Sequence, residues 1–272
     1  MSKENILIPV DFSPASESAI RIAQQIAGRN NAHLTLLHIS NGKSLSDADE
    51  KLKSISDSIF ENSKISINTI ISEGNLISEI TKQASDPGFT MMVIGTHGYK
   101  GIREKLMGAD ILKLLKNIPI PVLVVQKDYQ FPADGIKKIL VPSSDHESFS
   151  FKIEATIQMA KLFDAEVHFY TMEKPGMEIS ESMKENIRMA KQEFESAGVQ
   201  YLRVKEKQES FSVGYSKQIM SYANNNNIDV IALITTPTRE NYFFADSDKI
   251  SILTNSDCIP VLCTSDKLMD QD

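Results

Sequence analysis

Residues 91–125 read MMVIGTHGYKGIREKLMGADILKLLKNIPIPVLVV, and this stretch decides the fold. An apolar run, Met91–Ile94, leads into the glycine-containing segment Gly95–Gly98. Gly108 opens a helical pattern of apolar residues, and a second apolar run, Val122–Val125, closes the stretch. Strand, glycine loop, helix and strand in this order form one βαβ unit. Glycines after a strand and at a helix start let backbone N–H groups approach an anion closely, so the loop suits polyphosphate.

The chain repeats its strand patterns in the same order. Ile6–Val10 has a counterpart in Ile139–Ser143, and Ile120–Leu123 has one in Ile259–Leu262. Ordered correspondences from one end of the chain to the other indicate a tandem duplication.

A polar segment with proline and glycine, residues 127–135, separates the two copies and is typical of a linker. We therefore predict two domains, residues 1–128 and 136–272. The strand patterns are short and continuously apolar, as expected when helices cover both faces of a parallel sheet. In the first copy we predict strands near residues 5–10, 33–39, 65–71, 90–95 and 121–126. The intervening helices are predicted over residues 14–29, 44–62, 74–86 and 108–117.

Composition limits the classes of function. The 272 residues are 41% apolar, enough for two domains with real cores. A net charge of −7 argues against non-specific nucleic-acid binding, which needs a basic face. The first residues lack the apolar core of a signal peptide and no apolar run reaches bilayer length, so we expect a cytoplasmic protein without a membrane partner. Cys258 and Cys263 are expected to be reduced thiols.

These features resemble the universal stress protein family, in the branch whose members bind ATP. The signature of that family is Gly-x2-Gly-x9-Gly-[Ser/Thr] after the fourth strand, followed by a helix and a Pro-Val-Leu-Val-Val strand. Gly95, Gly98 and Gly108 match at the required spacing, and Pro121–Val125 matches the closing strand. The resemblance covers nearly the whole chain, strongly in the first copy and faintly in the second.

The resemblance implies an α/β fold with two tandem Rossmann-like domains of the adenine nucleotide alpha hydrolase-like type. Each would be a five-stranded parallel sheet of order 3-2-1-4-5 flanked by helices, with the ligand crevice between strands one and four. It also implies that Asp11 contacts the nucleoside and that Pro9 and Ile39 line the adenine and ribose pocket. Ile94 and Gly95 end strand four at the same crevice. Asp11 as a partner of the helix dipole, and Pro9 and Ile39 as ordinary packing residues, are the alternatives.

Two residues depart from the family pattern. Ala109 stands where the family has a hydroxyl, whose loss costs about 0.5–1.5 kcal/mol, or up to about tenfold in affinity. Asp110 places a carboxylate in the first helical turn, where it competes with phosphate for the same N–H groups. We nevertheless expect the first domain to bind ATP, with Mg²⁺ as its accompanying ion. The candidate binding residues are Pro9, Asp11, Ile39, Ile94, Gly95, Gly98, Gly108, Ala109 and Asp110.

The second copy lacks the three glycines. The alignment places Ile234 and Pro237 in the loop, and Ser247 near the third glycine position. A proline there removes a backbone donor. We therefore predict that this domain binds no ATP in the family manner and serves as the pseudo-dimer partner of the first domain. In the family the final strands of two domains pair, which makes Val122–Val125 and Ile259–Cys263 the candidate strands.

No sequence motif nominates a catalytic residue or a metal ligand. The chain has no Walker loop, no nucleophile elbow and no metal-ligand spacing. The resemblance implies a stress-response binding and signalling module with an unidentified protein partner and at most slow ATP hydrolysis. The alternatives are an interaction scaffold that binds no nucleotide and a slow ATPase. Tyr242–Phe244 either pack in the core or line an apolar pocket, and further homodimerisation of the chain stays open.

Overall fold

The computed structural model describes residues 4–40, 45–96, 108–127, 129, 132, 134–173, 178–207, 215–237 and 245–271. Strands and helices alternate along this part of the chain. The strands are β1 (Asn5–Pro9), β2 (His33–Ser40), β3 (Ile67–Glu73), β4 (Met91–Thr96), β5 (Val122–Gln126), β6 (Lys138–Pro142), β7 (Glu166–Glu173), β8 (Tyr201–Lys207), β9 (Val230–Ile234) and β10 (Val261–Thr264). The helices are α1 (Pro14–Asn30), α2 (Leu45–Ser63), α3 (Leu76–Ala84), α4 (Gly108–Leu115), α5 (Phe149–Phe163), α6 (Glu181–Ala197), α7 (Tyr215–Asn225) and α8 (Asp246–Leu253), and a 3-10 helix covers Asp266–Gln271.

All these strands lie in one sheet of order β3-β2-β1-β4-β5-β10-β9-β6-β7-β8. The first half, β1–β5, has the predicted order 3-2-1-4-5, and the second half, β6–β10, repeats it. Neighbouring strands within each half are parallel. The predicted α/β class and doubly wound strand order are therefore confirmed.

The two halves meet along an antiparallel pair, which we call the seam. Strand β5 lies against β10, with Leu123 opposite Leu262 and Val124 opposite Val261. These are the two strands that the sequence nominated for pairing. Because the seam is antiparallel, the strands of one half run opposite to those of the other.

Helices cover both faces of the sheet. One face carries α1, α2, α5 and α6, and the opposite face carries α3, α4, α7 and α8. Each face has a buried apolar cluster that includes residues of both halves. Leu123 and Leu262 belong to the first cluster, whereas Val124 and Val261 belong to the second. The seam is therefore part of both cores, as expected from the alternation of side chains along a strand.

Helix α1 begins as its sequence predicts. Ser13 is the N-cap residue and its side chain accepts a hydrogen bond from the Ser16 N–H at 3.4 Å. Pro14 occupies the first helical position, where its missing N–H has no intrahelical partner to lose. The helix ends before Asn31, which is left-handed with φ 55°. This cap fixes where the first turn of α1 lies relative to the strand ends.

The prediction was less accurate for the third strand and the helix after it. Strand β3 spans Ile67–Glu73, two residues later than predicted, because its pairing with β2 runs to Ser40 opposite Glu73. Helix α3 begins at Leu76, since Asn75 is the N-cap and accepts from the N–H groups of Ile77 and Ser78. None of the described helices is long and apolar enough to cross a bilayer.

Candidate functional site

In the first half the chain adds strands to one side of β1 and then, from β4 onward, to the other side. Strands β1 and β4 are parallel neighbours, so their carboxyl ends lie side by side at this point of reversal. In doubly wound sheets this position opens a crevice that ligands occupy. Strand β1 ends at Pro9 and β4 ends at Thr96, so the residues that follow them form the walls. We call this region the glycine crevice.

Asp11 lies at the mouth of the glycine crevice and is exposed. Its Oδ1 accepts hydrogen bonds from the Ser13 N–H at 3.0 Å and from the Ser13 hydroxyl at 2.5 Å. Between them Phe12 is left-handed, with φ 62°. The Asp11 carboxylate therefore orders the turn into α1. It is also the group that the sequence analysis expects to contact a nucleoside.

Gly95 packs against the backbone of α1, a structural requirement for glycine that the sequence motif does not show. A Cβ atom at this position would lie 2.2 Å from the carbonyl oxygen of Ala15 and 2.8 Å from the backbone nitrogen of Ser16. No real side chain tolerates such distances to backbone atoms. Gly95 thus lets the first turn of α1 pack directly on the end of β4, which narrows the glycine crevice.

Thr96, which the sequence reasoning missed, has one of several buried hydroxyls without a hydrogen-bond partner among the described residues. The residue is 3% exposed, and the unsatisfied atom is Oγ1. Its backbone oxygen accepts from the Lys127 N–H at 3.0 Å. An unsatisfied buried hydroxyl costs about 1–3 kcal/mol, so this atom is a natural partner for a bound group. Its position directly after Gly95 was the available signal.

The apolar candidates lie where the sequence placed them. Pro9 is buried at the end of β1, and Ile94 is 2% exposed in β4. Ile39, near the end of β2, is partly buried against the same apolar cluster that contains Ile94 and the inner face of α4. These side chains provide an apolar wall beside the strand ends.

Gly108, Ala109 and Asp110 form the first turn of α4. Gly108 has φ +26°, and a Cβ there would lie 3.1 Å from Cγ2 of Ile250 in α8. Ala109 and Asp110 are both exposed. Gly98 lies outside the described residues, as do the other residues of 97–107 and Tyr242–Phe244. Because Gly108 lies so close to Ile250, this third glycine of the motif faces the second half of the chain.

The corresponding strand ends of the second half are occupied by lysines. Lys249, on α8, is 2% exposed and its Nζ donates to the carbonyl oxygens of Thr235 at 3.1 Å and Thr236 at 2.6 Å, just after β9. Lys152, on α5, is also 2% exposed and donates to the carbonyl oxygen of Pro142, at the end of β6, at 2.5 Å. Two ammonium groups thus satisfy the strand-end carbonyls from within the protein.

Both lysines replace apolar residues of the first half. The repeat of Ile6 as Ile139 aligns Lys152 with Ala19, which is fully buried in α1. The burial patterns of α4 and α8 align Lys249 with Ile111. Burial lowers the pKa of Lys152 to about 7 and that of Lys249 to about 8, because desolvation disfavours the charged form.

His146 completes this buried polar cluster. Its Nδ1 accepts from the Ser148 N–H at 3.0 Å, and its Nε2 lies 3.3 Å from the Thr236 hydroxyl. Burial lowers the pKa of His146, and the nearby charges of Lys249 and Lys152 lower it further. The imidazole is therefore held neutral between the ends of β6 and β9.

The fold and the crevice define a class, the doubly wound α/β proteins whose ligand crevice lies at the reversal of strand order. Residues 3–126 match the model of the universal stress protein family. The first half of the chain is therefore similar to members of that family along nearly its whole length.

Two relatives show the same similarity in sequence, and one solved structure shows it in fold. A universal stress protein of Bacillus subtilis is 25% identical over 144 residues, covering 44% of this chain and 97% of the relative. One of Methanocaldococcus jannaschii is 25% identical over 154 residues, covering 46% of this chain and 95% of the relative. The crystal structure of a universal stress protein from Archaeoglobus fulgidus superposes with a TM-score of 0.74 at 17% identity, covering 97% of this chain and 99% of that one. The last comparison shows that both halves share the fold of that protein.

Proposed function

We propose that the first half, residues 1–128, binds an adenine nucleotide, ATP with Mg²⁺, in the glycine crevice as part of a stress-response signalling module. The observation that carries the proposal is that Asp11, two residues after β1, and the Gly95–Thr96 end of β4 follow neighbouring parallel strands at the point of strand reversal. The spacing of Gly95, Gly98 and Gly108 supports a phosphate position at the start of α4.

The geometry supports separate roles for the walls. Ile39, which is only partly buried, offers apolar surface to a base, and Asp11 offers a carboxylate to ribose hydroxyls. The unsatisfied Thr96 hydroxyl supports a polar ligand atom at the crevice. Ala109 contributes no hydroxyl, and Asp110 is exposed in the first turn of α4.

We further propose that the second half, residues 136–272, acts as a built-in partner in place of a second subunit. The antiparallel seam supports this role. So does the linker end, where Arg29 of α1 donates to the carbonyl oxygen of Asp134 at 3.3 Å and a Cβ at Gly135 would lie 2.6 Å from the Phe163 ring of α5. Lys152 and Lys249 already fill the strand ends at which a nucleotide would have to bind in this half.

Titration calorimetry of the full chain with ATP and Mg²⁺ tests the proposal. We expect one nucleotide per chain and complete loss of binding on Gly98→Val. Asp11→Asn keeps an oxygen that can accept from the Ser13 N–H but loses the charge. This variant should bind at least about tenfold more weakly, the effect of losing a hydrogen bond to a charged group.

Asp145→Asn is the matched control, because Asp145 lies beside Ser144, the second-half counterpart of Asp11. It should leave the affinity unchanged. Absence of binding by ATP, ADP and AMP alike would rule out the nucleotide function, and two sites per chain would contradict the role assigned to the second half.

Ala109 and Asp110 favour one competing function, an interaction scaffold without a nucleotide. Mass spectrometry of the purified protein separates the two functions, because a co-purifying nucleotide excludes the scaffold. For the wild-type chain with ATP we expect phosphate release at background level. Release that disappears on Asp11→Asn would instead establish the slow ATPase.

A further inference from the structure

A cavity lies between the two halves, at the amino ends of the first-half strands. The glycine crevice lies at the other, carboxyl ends of these strands. The volume of the cavity is about 340 Å³, within the range of about 300–1,000 Å³ that small-molecule sites occupy. The amino ends of β1 and β4 and the residue before β5, Pro121, form one side, and α5 forms the other. We call it the inter-half cavity.

The body of the inter-half cavity is apolar. Ile6, Ile26, Met159 and Leu262 line it and are each at most 4% exposed, so they belong to the core. Met91 and Leu162 are partly buried and pack against the same cluster. Methionines at such a site adapt to the shape of an apolar guest.

The rim carries one carboxylate and one ammonium group. Glu4 is engaged, because its Oε2 accepts a hydrogen bond from the side-chain amide of Asn30. Lys161, in the last turn of α5, is exposed and has no hydrogen-bond or ion-pair partner among the described residues. The rim thus combines a carboxylate that accepts from a neutral amide with an ammonium group that has no partner among the described residues, and both lie beside the apolar chamber.

We propose that the inter-half cavity binds a small amphipathic carboxylate, with its hydrocarbon body between α1 and α5 and its carboxylate at Lys161. Apolar burial supplies the affinity, and the ammonium group selects the anionic head. The site lies on residues that take no part in nucleotide binding, so this proposal stands or falls independently of the glycine crevice.

The chain contains no tryptophan, so one introduced indole reports on one place. Leu162→Trp puts it on the cavity wall, and titration with decanoate below its micelle concentration should give a saturable change in emission. Phe60→Trp, on the exposed side of α2, is the control reporter and should give no change. A flat titration at Leu162→Trp, or an equal response from both reporters, would overturn the proposal.

Further variants separate the head from the body. Lys161→Gln, added to the Leu162→Trp chain, should weaken decanoate binding about two- to fivefold, whereas Lys53→Gln, at an exposed position on α2, should not. Ala155→Phe, which fills the cavity from α5, should abolish binding in a chain that still shows its cooperative unfolding. Binding of 1-decanol as tight as that of decanoate, or no effect of Lys161→Gln, would refute the carboxylate assignment.

Discussion

Gly95 lies where α1 crosses β4, and Gly28 lies on the exposed side of the same helix. A Cβ at Gly95 would meet the carbonyl oxygen of Ala15 at 2.2 Å, whereas one at Gly28 would have no atom within 4 Å. Gly108 differs from both, because its φ of +26° is itself unfavourable for a side chain. Two glycines of the Gly-x2-Gly-x9-Gly motif thus have structural requirements of their own.

This contrast gives a stability prediction. Gly95→Ala should lower the free energy of unfolding by about 3 kcal/mol, the upper part of the usual range for overpacked sites, because the obstacle is backbone. Gly28→Ala should raise it by about 0.5–1 kcal/mol, since alanine is the better helix former. Urea unfolding followed by circular dichroism measures both. Equal effects of the two substitutions would show that α1 does not approach β4 this closely.

The sequence predicted residue positions better than residue contacts. Ser13 and Pro14 mark the start of α1 in the sequence, because an N-cap residue and a first-turn proline are local signals. The approach of Ala15 to Gly95 and the unsatisfied Thr96 hydroxyl depend on how a helix packs on a strand 80 residues away. A local sequence pattern contains no information on a contact between residues so far apart in the chain.

At the scale of elements, α5 and α8 each bury a lysine against the end of a strand. A lysine within an amphipathic helix normally indicates the exposed face, so neither Lys152 nor Lys249 could be predicted as buried from sequence. The approximate helix positions of the first half were predictable from the apolar periodicity, and the strand order followed from the family resemblance. The burial of Lys152 and Lys249 at the ends of β6 and β9 was not predictable.

Lys152 makes the stability of the chain depend on pH. Its pKa is lowered by burial to about 7 in the folded protein, against an ordinary value of 10.5. Between these values the unfolded chain binds the additional proton, so stability should increase with pH, by at most about 1.4 kcal/mol per pH unit. Lys152→Met removes this contribution.

Urea unfolding of both chains between pH 6 and pH 10 measures the difference. The stability of the wild type relative to Lys152→Met should be lowest at and below pH 7 and should rise steadily above it. A difference that is constant over the range would mean that the ammonium group is not desolvated. Lys53→Met, at an exposed position on α2, is the control and should track the wild type.

At the scale of the whole molecule, the seam places both halves in shared cores. Leu123 and Leu262 join one apolar cluster, and Val124 and Val261 join the other. Neither half can lose its structure without exposing apolar surface of its neighbour. We therefore expect one cooperative unfolding transition for the chain, in spite of its two repeats.

Two single-tryptophan reporters test this expectation. Phe60→Trp, on α2, reports on the first half and Leu202→Trp, on β8, reports on the second; both replaced side chains are about half exposed. Their urea midpoints should coincide with each other and with the midpoint from circular dichroism. Separate midpoints would show that the halves unfold as independent domains.

The opposed direction of the halves has a consequence for any large partner. Each long rim of the sheet combines carboxyl termini of strands from one repeat with amino termini of strands from the other. A macromolecule that approaches the rim bearing Asp11 and Gly95 therefore also meets the amino-terminal edge of the second repeat, whereas Lys152 and Lys249 bind the carboxyl ends of strands on the other rim. The chain has lost the twofold equivalence of a pair of identical subunits, so it can present a different docking chemistry on each rim.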